Sequence, residues 1–384
     1  MNFTHLWKKK RDAPGLAPAE RRVGRLAGDA SPLPQELKLY DALRGSVPVI
    51  DAALNKIVRL VGGFTVTCRG PGQKELDEFV REVPVGGAGK GLEAFLSCYL
   101  DNLLTYGNAV GEILLTPDGR RVAGLYNGDL QELDIRRDEG NPLGRRIFLR
   151  DGSPEGRAVQ ENGRILFTAL NPRAGEVTGS SLLKGLPFVA GVLLKIFECT
   201  GLNFERAGNI RYAVTYRPGP DSLDQAYARE RAAQIAKEWS SGMTAARNGM
   251  VTDFVSVGDV EIKTIGADCP IPETEIPVRQ MLEQIIAKLG IPPFLLGLSW
   301  STTERMSKQQ ADILTSELAC YRRLMNPVLA QICRTFLRLE GLSGEPEVQW
   351  SIINLQDEGE MARARLYNAQ AAVLEKGQAK EDAV

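Results

Sequence analysis

Residue types that carry chemistry are sparse and widely spaced in this chain of 384 residues. The single histidine, His5, lies in the first few residues, so we expect neither a Ser/His or Cys/His nucleophilic site nor a metal bound by histidine. Six cysteines lie far apart, and none forms the CxxC pairing of a zinc ribbon or a thioredoxin-like redox site. They are Cys68, Cys98, Cys199, Cys269, Cys320 and Cys333. We interpret them as reduced and mostly structural thiols.

Two other sequence patterns resemble functional motifs but lack residues or spacings that those motifs require. The segment PVGGAGKGLEAF resembles a phosphate-binding loop, but that motif needs Gly where Pro84 stands and Ser or Thr where Gly91 stands. A turn that caps a helix is the simpler interpretation. Two groups of carboxylates match no EF-hand or two-metal spacing, and solvated faces or helix starts account for them. These groups are Asp129, Glu132 and Asp134, and Asp357, Glu358 and Glu360. We therefore predict no enzyme, no metal and no cofactor.

Composition indicates an ordinary globular protein that is not strongly basic. Hydrophobic residues make up 43% of the chain and charged residues 25%, which suits two or three compact segments. The formal net charge is -1 and the pI is about 6.1, which argues against a protein that grips nucleic acid along a basic face. We find neither a signal sequence nor about 18 to 20 uninterrupted apolar residues, so we expect synthesis in the cytoplasm and no membrane partner.

The first half of the chain predicts a basic arm followed by a mixed α/β domain. Residues 1–36 combine Lys, Arg, Gly, Pro and Ala, which is typical of a solvated arm. Apolar residues at spacings of three and four then predict helices over 37–62, 75–83 and 92–106. Pro48 marks either a break or a first helical turn. Short alternating runs between Gly, Asp, Asn and Pro clusters predict strands over 109–165.

The second half alternates long helices with one compact α/β insert at 209–267. In the insert, a strand over 212–216 precedes a helix over 223–241 and strands within 250–265. Pro327 predicts a kink in the longest helix. The predicted helices outside the insert span 181–206, 273–289, 307–339 and 358–376.

Four phrases, in this order, resemble the portal proteins of long-tailed bacteriophages. The resemblance extends from about residue 37 to residue 380, and the four together are more specific than any one alone. They are LRGSVPVIDAALNKIVRLVG at 43–62, YGNAVGEIL at 106–114, LGIPPFLLGLSWSTTERMSKQQADIL at 289–314 and MNPVLAQI at 325–332.

The resemblance implies an α+β portal fold with a wing, a two-helix stem, an α/β clip, a long kinked helix with a tunnel loop, and a short helical crown. After the arm at 1–36, the implied parts are the wing at 37–180, a stem helix at 181–208 and the clip at 209–267. A second stem helix at 268–290 leads to the tunnel-loop region at 291–306. The long wing helix and closing strand follow at 307–356, and the crown and tail at 357–384. The short crown and the basic arm depart from the family pattern.

The resemblance also implies a function and partners. The expected assembly is a homo-oligomeric ring, a dodecamer, at one capsid vertex of the virion, through which double-stranded DNA passes without sequence specificity. The expected protein partners are the terminase large subunit, which supplies ATP hydrolysis, the head–tail adaptor, and the major capsid or scaffold protein. A near-neutral conduit suits moving DNA, because each phosphate contact adds affinity and friction.

The site residues implied by the resemblance fall in two groups. In the tunnel loop, hydroxyls and two cations would contact the DNA backbone. These residues are Ser299, Trp300, Ser301, Thr302, Thr303, Arg305 and Lys308. Trp300 suits a buried anchor of the loop as well as a channel-facing role. In the clip, the docking residues for terminase and adaptor would be Arg217, Asp221, Arg247 and Asn248, although the last two also suit a plain exposed turn.

Two alternatives remain open at this point. Another ring-forming head–tail connector or adaptor would assemble similarly without conducting DNA, but the order of helix, loop and helix over 273–339 argues against it. A nuclease would need clustered carboxylates and a divalent metal, which the spacing does not offer.

Overall fold

The computed structural model describes residues 34–353 and residue 370, apart from 139, 142–143, 154–155, 161–162, 209–210, 221, 248–249, 251–258, 266–272 and 299–303. The chain divides into two compact units. The first comprises the residues up to Pro187 and from Ile285 onward, and the second runs from Phe188 to Gln284. Helices and strands both contribute, which confirms the expected α+β class. The division into wing, stem, clip and crown stays a prediction.

Four helices open the first unit, and their starts follow local sequence rules. They are α1 (Pro34–Ser46), α2 (Pro48–Val61), α3 (Gln73–Glu82) and α4 (Leu92–Tyr106). Pro48 is the first residue of α2, where its missing N–H leaves no carbonyl without a partner, and Val47 before it is extended. The helix predicted over 37–62 is therefore two helices, and both predicted roles of Pro48, a break and a first helical turn, are confirmed. Gly91, at φ +84°, precedes α4 and accepts hydrogen bonds from Ala94 and Phe95. The expected turn before a helix is thereby confirmed.

A five-stranded sheet packs against α4. Its strands are β2 (Pro84–Val85), β3 (Gly89–Lys90), β4 (Asn108–Leu115), β5 (Val122–Asn127) and β9 (Ile165–Ala169), in the order β3-β2-β5-β4-β9. Gly111 in β4 admits the ring of Phe95, because a Cβ there would lie 2.7 Å from that ring. Burial of both Ile113 and Leu125 places the hydrophobic face of the sheet in the core.

A separate three-stranded sheet accounts for one of the two carboxylate groups. It contains β6 (Leu133–Arg137), β7 (Arg145–Leu149) and β8 (Arg157–Ala158). Asp134 lies 2.6 Å from Arg136 and 3.8 Å from Arg150, and the Asp129 carboxylate accepts the Gln131 N–H at 2.8 Å. Both aspartates are thus committed to structural partners. The second group, at 357–360, lies outside the described residues.

The remaining sheet of the first unit joins its two chain segments. Strand β1 (Phe64–Cys68) pairs antiparallel with β12 (Pro346–Trp350), the expected closing strand. The outer edge of β1 is partly closed by a side chain. The Gln73 amide accepts the Cys68 N–H at 2.6 Å and donates to the Val66 carbonyl at 2.9 Å, so it imitates the peptide group of a further strand.

Helix α9 (Glu304–Leu339) is the longest element and runs through Pro327 as one assigned helix. Its buried residues recur every three or four positions, as the sequence predicts. They include Ala311, Leu314, Leu318, Tyr321, Met325, Val328, Leu329 and Ile332. A stacked pair, Phe79 and Phe336, joins α9 to α3 with ring centroids 4.1 Å apart.

The second unit contains most of two helices and the α/β insert between them. Its elements are α5 (Leu186–Gly208), β10 (Arg211–Arg217), α6 (Ser222–Ala226), α7 (Ala228–Arg247), β11 (Asp259–Ile265) and α8 (Glu275–Leu289). Strands β10 and β11 form an antiparallel pair, and Tyr212 packs edge-on against Trp239 of α7. Where one helix was expected over 223–241, the structure has two, separated at Tyr227.

The start of α5 needs correction. Helix α5 begins at Leu186 rather than Ser181, because the Ser181 hydroxyl is engaged in a turn, donating to the Thr105 carbonyl and accepting the Leu183 N–H. Within the described residues, one segment, Leu186–Glu205 of α5, is long and apolar enough to cross a membrane by length and composition alone. This segment contains Lys195 and Glu198, so it is not an uninterrupted apolar run, and the expectation of no membrane partner stays a prediction.

The described cysteines are all free thiols, as expected, and one of the six, Cys269, lies outside the described residues. The predicted arm also lies outside them up to residue 33. Of the predicted crown at 357–384, only Gln370 is described, and it is helical.

Candidate functional site

The predicted tunnel-loop residues divide between undescribed and described positions. Residues 299–303, from Ser299 to Thr303, lie outside the described part of the chain. Arg305 and Lys308 lie in the first turns of α9, where Arg305 is exposed and Lys308 is half-buried. The structure therefore places the two cations on one helix, one turn apart.

The segment before residue 299 is tightly held. Helix α8 ends with Ile285, Ile286 and Leu289 buried, and Gly290 donates its N–H to the Ile286 carbonyl at 2.9 Å. A 3-10 turn over Pro293–Leu296 follows and packs against α2. The Leu298 N–H donates back into this turn, to the Pro293 carbonyl at 3.1 Å. The backbone is therefore held by hydrogen bonds up to Leu298, the residue before the 299–303 segment.

Helix α9 is anchored well beyond its start. The Arg322 Nε and Nη2 atoms donate to the Val61 carbonyl oxygen at 2.9 and 2.6 Å. That oxygen belongs to the last residue of α2, where helix carbonyls lack partners and the macrodipole is negative. The guanidinium also lies 5.1 Å from the centre of the Trp350 ring, and partial burial lowers the pKa of Arg322. Trp350 in turn donates its indole N–H to Asn326 at 2.7 Å.

The predicted clip residues are not brought together in the described part of the chain. Arg217 ends β10, and its guanidinium lies 2.7 Å from Glu261 of β11. Lys263 and then Arg217 hold the pKa of the Glu261 carboxyl below its usual value. Arg247 ends α7, and its side chain is outside the description, as are Asp221 and Asn248. The insert exposes apolar side chains that the sequence reasoning passed over, among them Leu223 and Tyr227.

The surface of α5 is the feature that sequence reasoning missed. Leu186, Ala190 and Leu193 form a buried stripe, and the same stripe continues through Phe197 and Phe204, which are 50% and 61% exposed. Other sides of the helix are apolar too, since Phe188 is 79% exposed, and Leu194 and Leu202 are also exposed. The stripe was visible in the sequence, but its exposure was not, because burial depends on what packs against it.

No cluster of metal-ligating side chains competes with these features in the described residues. No group of three or more His, Cys, Asp or Glu side chains there could hold a metal ion. A groove of about 540 Å³ lies beside β1 and is rimmed by charges of both signs, including Asp77, Arg81, Lys90 and Glu93. This arrangement offers neither a nucleophile with its base nor a one-sided charge for an anionic or cationic ligand.

Comparison with known proteins gives structural relatives only. No protein-family model and no curated protein matches the chain. A chain from the neck of an empty gene transfer agent particle, computed with C6 symmetry, matches with a TM-score of 0.62 and 16% identity over 90% of this chain and 92% of that one. A chain from the neck of the native particle, computed with C12 symmetry, matches with a TM-score of 0.60 and 17% identity over 91% and 92%.

A crystal structure of an HK97 family phage portal protein from Corynebacterium diphtheriae also matches, with a TM-score of 0.42 and 16% identity over 80% and 95%. The two gene transfer agent chains, at 16% and 17% identity, show a shared fold and nothing finer. The resemblance seen in the sequence is confirmed at the level of the fold.

Proposed function

We propose that the chain is a portal subunit of a tailed-phage-like particle, which forms a ring at one capsid vertex. Double-stranded DNA passes through that ring during packaging and ejection. The ring also serves as the docking platform for the terminase large subunit and the head–tail adaptor, and it contacts the capsid or scaffold protein. The protein works as a structural channel, with the chemistry supplied by its partners.

The observation that carries this proposal is the uncovered apolar surface of α5. A helix that is apolar on several sides is normally buried on several sides. In the described chain, the aromatic side chains Phe188, Phe197 and Phe204 instead face solvent. A second copy on each side of the helix would cover them, which is the arrangement of a heterologous ring contact.

The structural relatives support the same arrangement. Their particle necks are computed with C12 and C6 symmetry, and the alignments include 91% and 90% of this chain, so nearly the whole fold is shared with chains of necks that have rotational symmetry. In this proposal the insert at 209–267, with Arg217, Asp221, Arg247 and Asn248, serves as the docking clip. The loop at 299–303, with Arg305 and Lys308 beside it, borders the DNA channel and contacts phosphates.

The ring is tested by native mass spectrometry and averaged electron micrographs of the purified protein. We expect a closed ring near twelve subunits with an axial hole. Phe197→Glu should disperse it, because a charge would be buried between copies, whereas Lys237→Glu, at an exposed polar position of α7, should not.

A stable dimer or an open filament from the unmodified chain would exclude the proposal. Particles that disperse only when lipid or detergent is removed would instead indicate that α5 enters a membrane.

The connector alternative is distinguished by DNA passage. Deleting Ser299 to Thr303 should leave the ring intact and impair packaging or retention of DNA. Loss of the ring would make that segment a structural joint, and unchanged packaging would favour a connector that no DNA traverses.

The nuclease alternative is distinguished by incubating the protein with DNA, Mg²⁺ and ATP. We expect neither cleavage nor hydrolysis, and robust metal-dependent turnover would exclude a purely structural portal.

A further inference from the structure

The two flanks of the 299–303 segment are supported by the same helix. On the upstream side, Ile291 and Pro292 are buried and the 3-10 turn over Pro293–Leu296 packs on α2. On the downstream side, α9 packs along α2 and is hydrogen bonded to its last carbonyl. Helix α2 is itself fixed in the core, since Ile50 and Leu54 are fully buried. The separation between Leu298 and the start of α9 is therefore set by how α9 sits on α2.

Arg322 is the polar contact that specifies this placement. Apolar packing between two helices tolerates small slides and rotations, whereas two hydrogen bonds from one guanidinium to one carbonyl oxygen do not. The contact has little room to shift, because Gly62 follows Val61 and a Cβ there would lie 3.3 Å from Arg322 Nη2. On its other side the guanidinium is bounded by the Trp350 ring.

Arg322 lies far enough along α9 for a small change there to be magnified. It is 18 residues beyond Glu304, a distance of about 27 Å along the helix. A tilt of about 5° at the contact would move the first turn of α9 by roughly 2 Å. A change of that size in the distance between a donor and its acceptor is enough to break a hydrogen bond. Between residues 305 and 310, no described side chain is fully buried, and the buried side chains between there and Arg322, such as Leu314 and Leu318, make apolar contacts that tolerate small slides.

We propose that Arg322 is a positioning residue, which fixes the first turns of α9, and with them Arg305 and Lys308, relative to Leu298. The role of those cations at a DNA channel rests on the proposed function, but the mechanical coupling does not. Helix α2 is then the common support for both sides of the channel segment.

The test is to measure backbone amide hydrogen exchange by mass spectrometry in the full-length protein and in its Arg322→Gln variant. Residues 308–318 of α9 and the last turn of α2 should exchange about tenfold faster, as expected for loss of hydrogen bonds from a charged donor. Exchange of α4, over 92–106, should stay within about twofold, because a local contact does not change global stability much. Arg322→Lys should restore part of the protection, since an ammonium can still donate to the Val61 carbonyl.

Arg323→Gln is the matched control. Its guanidinium is on the same helix, one residue away, and donates to Cys320 Sγ at 2.9 Å. This variant should leave exchange of 308–318 unchanged. Equal acceleration of α4 and α9 in Arg322→Gln would make Arg322 an ordinary stabilising residue, and no acceleration would end the proposal outright. Micrographs of the same samples report separately on the ring, so failure of the ring and failure of the coupling are told apart.

Discussion

Helices α4 and α5 are both long and apolar, but they differ in where their partners are. Helix α4 buries Leu92, Phe95, Tyr99, Leu100 and Leu103 against neighbours in the same chain. Helix α5 leaves several aromatic and aliphatic side chains in solvent. Sequence hydrophobicity is therefore used for folding in the first unit and, under the proposed function, for assembly in the second. Mutations in the two helices should separate the two uses.

The largest effect is expected from Leu103→Ala in α4. Leu103 is fully buried, so its truncation should lower the free energy of unfolding by about 2–5 kcal/mol through lost burial and a cavity. Leu202→Ala in α5 makes the same chemical change at a 49% exposed position and should stay within about 0.5 kcal/mol. Denaturant unfolding of dissociated subunits measures both. Similar losses at the two positions would show that α5 is covered within its own chain.

A second effect is expected where polar groups are half-buried in the first unit. Arg44 contacts Asp51 at 2.7 Å, Asp101 at 2.7 Å and the Thr105 hydroxyl at 2.7 Å. Arg44→Ala should lower the free energy of unfolding by about 3 kcal/mol, because it leaves the Asp101 carboxylate partly buried without its cation. Arg217→Ala, which removes an exposed ion pair of the second unit, should change stability too little to measure. A measurable loss for Arg217→Ala would remove the contrast between the units.

A third effect is a loss of stability in alkaline solution. Burial, with the nearby charge of Glu317, raises the pKa of Tyr321 to about 12. Because the unfolded tyrosine ionises near pH 10 and the folded one later, stability is fully present below pH 10 and falls as the pH rises towards 12. One such group costs about 1.4 kcal/mol per pH unit in that window.

Tyr321→Phe should reduce the alkaline loss by that amount when unfolding is compared at pH 9 and pH 11. The control is Tyr126→Phe at an exposed position of β5, which should leave the loss unchanged. An identical alkaline loss in Tyr321→Phe would mean that other buried tyrosines dominate it.

The smallest effect is expected at the edge of β1. Gln73→Ala removes two hydrogen bonds to the strand and should lower the free energy of unfolding by about 1 kcal/mol. It also opens the outer edge of β1, so light scattering should show more self-association than for the unmodified chain. Gln234→Ala on exposed α7 is the control, and unchanged scattering in Gln73→Ala would mean that the edge is protected in another way.

Helices could be predicted from this sequence because their pattern is local. The stripes of α2, α4 and α9 recur every three or four residues, and Pro48, which the sequence offers as a break or a first helical turn, begins α2. Strand-rich composition over 109–165 was also visible. Its division between a five-stranded and a three-stranded sheet was not, since that division depends on pairings between distant residues.

The site could be predicted only in part, for the same reason. The cations Arg305 and Lys308 were found through the resemblance, whereas Arg322 and Gln73 are ordinary polar residues until their partners are known. Val61 and Arg322 are separated by 261 positions, and no local pattern links them. The exposure of Phe197 could not be predicted either, because the apolar spacing along α5 is the same whether or not another element covers that side of the helix.

The pairing of β1 with β12 delays completion of the first unit during synthesis. The two strands are about 284 positions apart, so β1 must wait for nearly the whole chain to leave the ribosome. At about 5–20 residues per second, that interval is roughly 14 to 56 s. The second unit is made within this interval, while the edge of β1 that pairs with β12 is still open. A nascent chain in this state is a substrate for chaperones, and slower translation after residue 68 would lengthen its exposure.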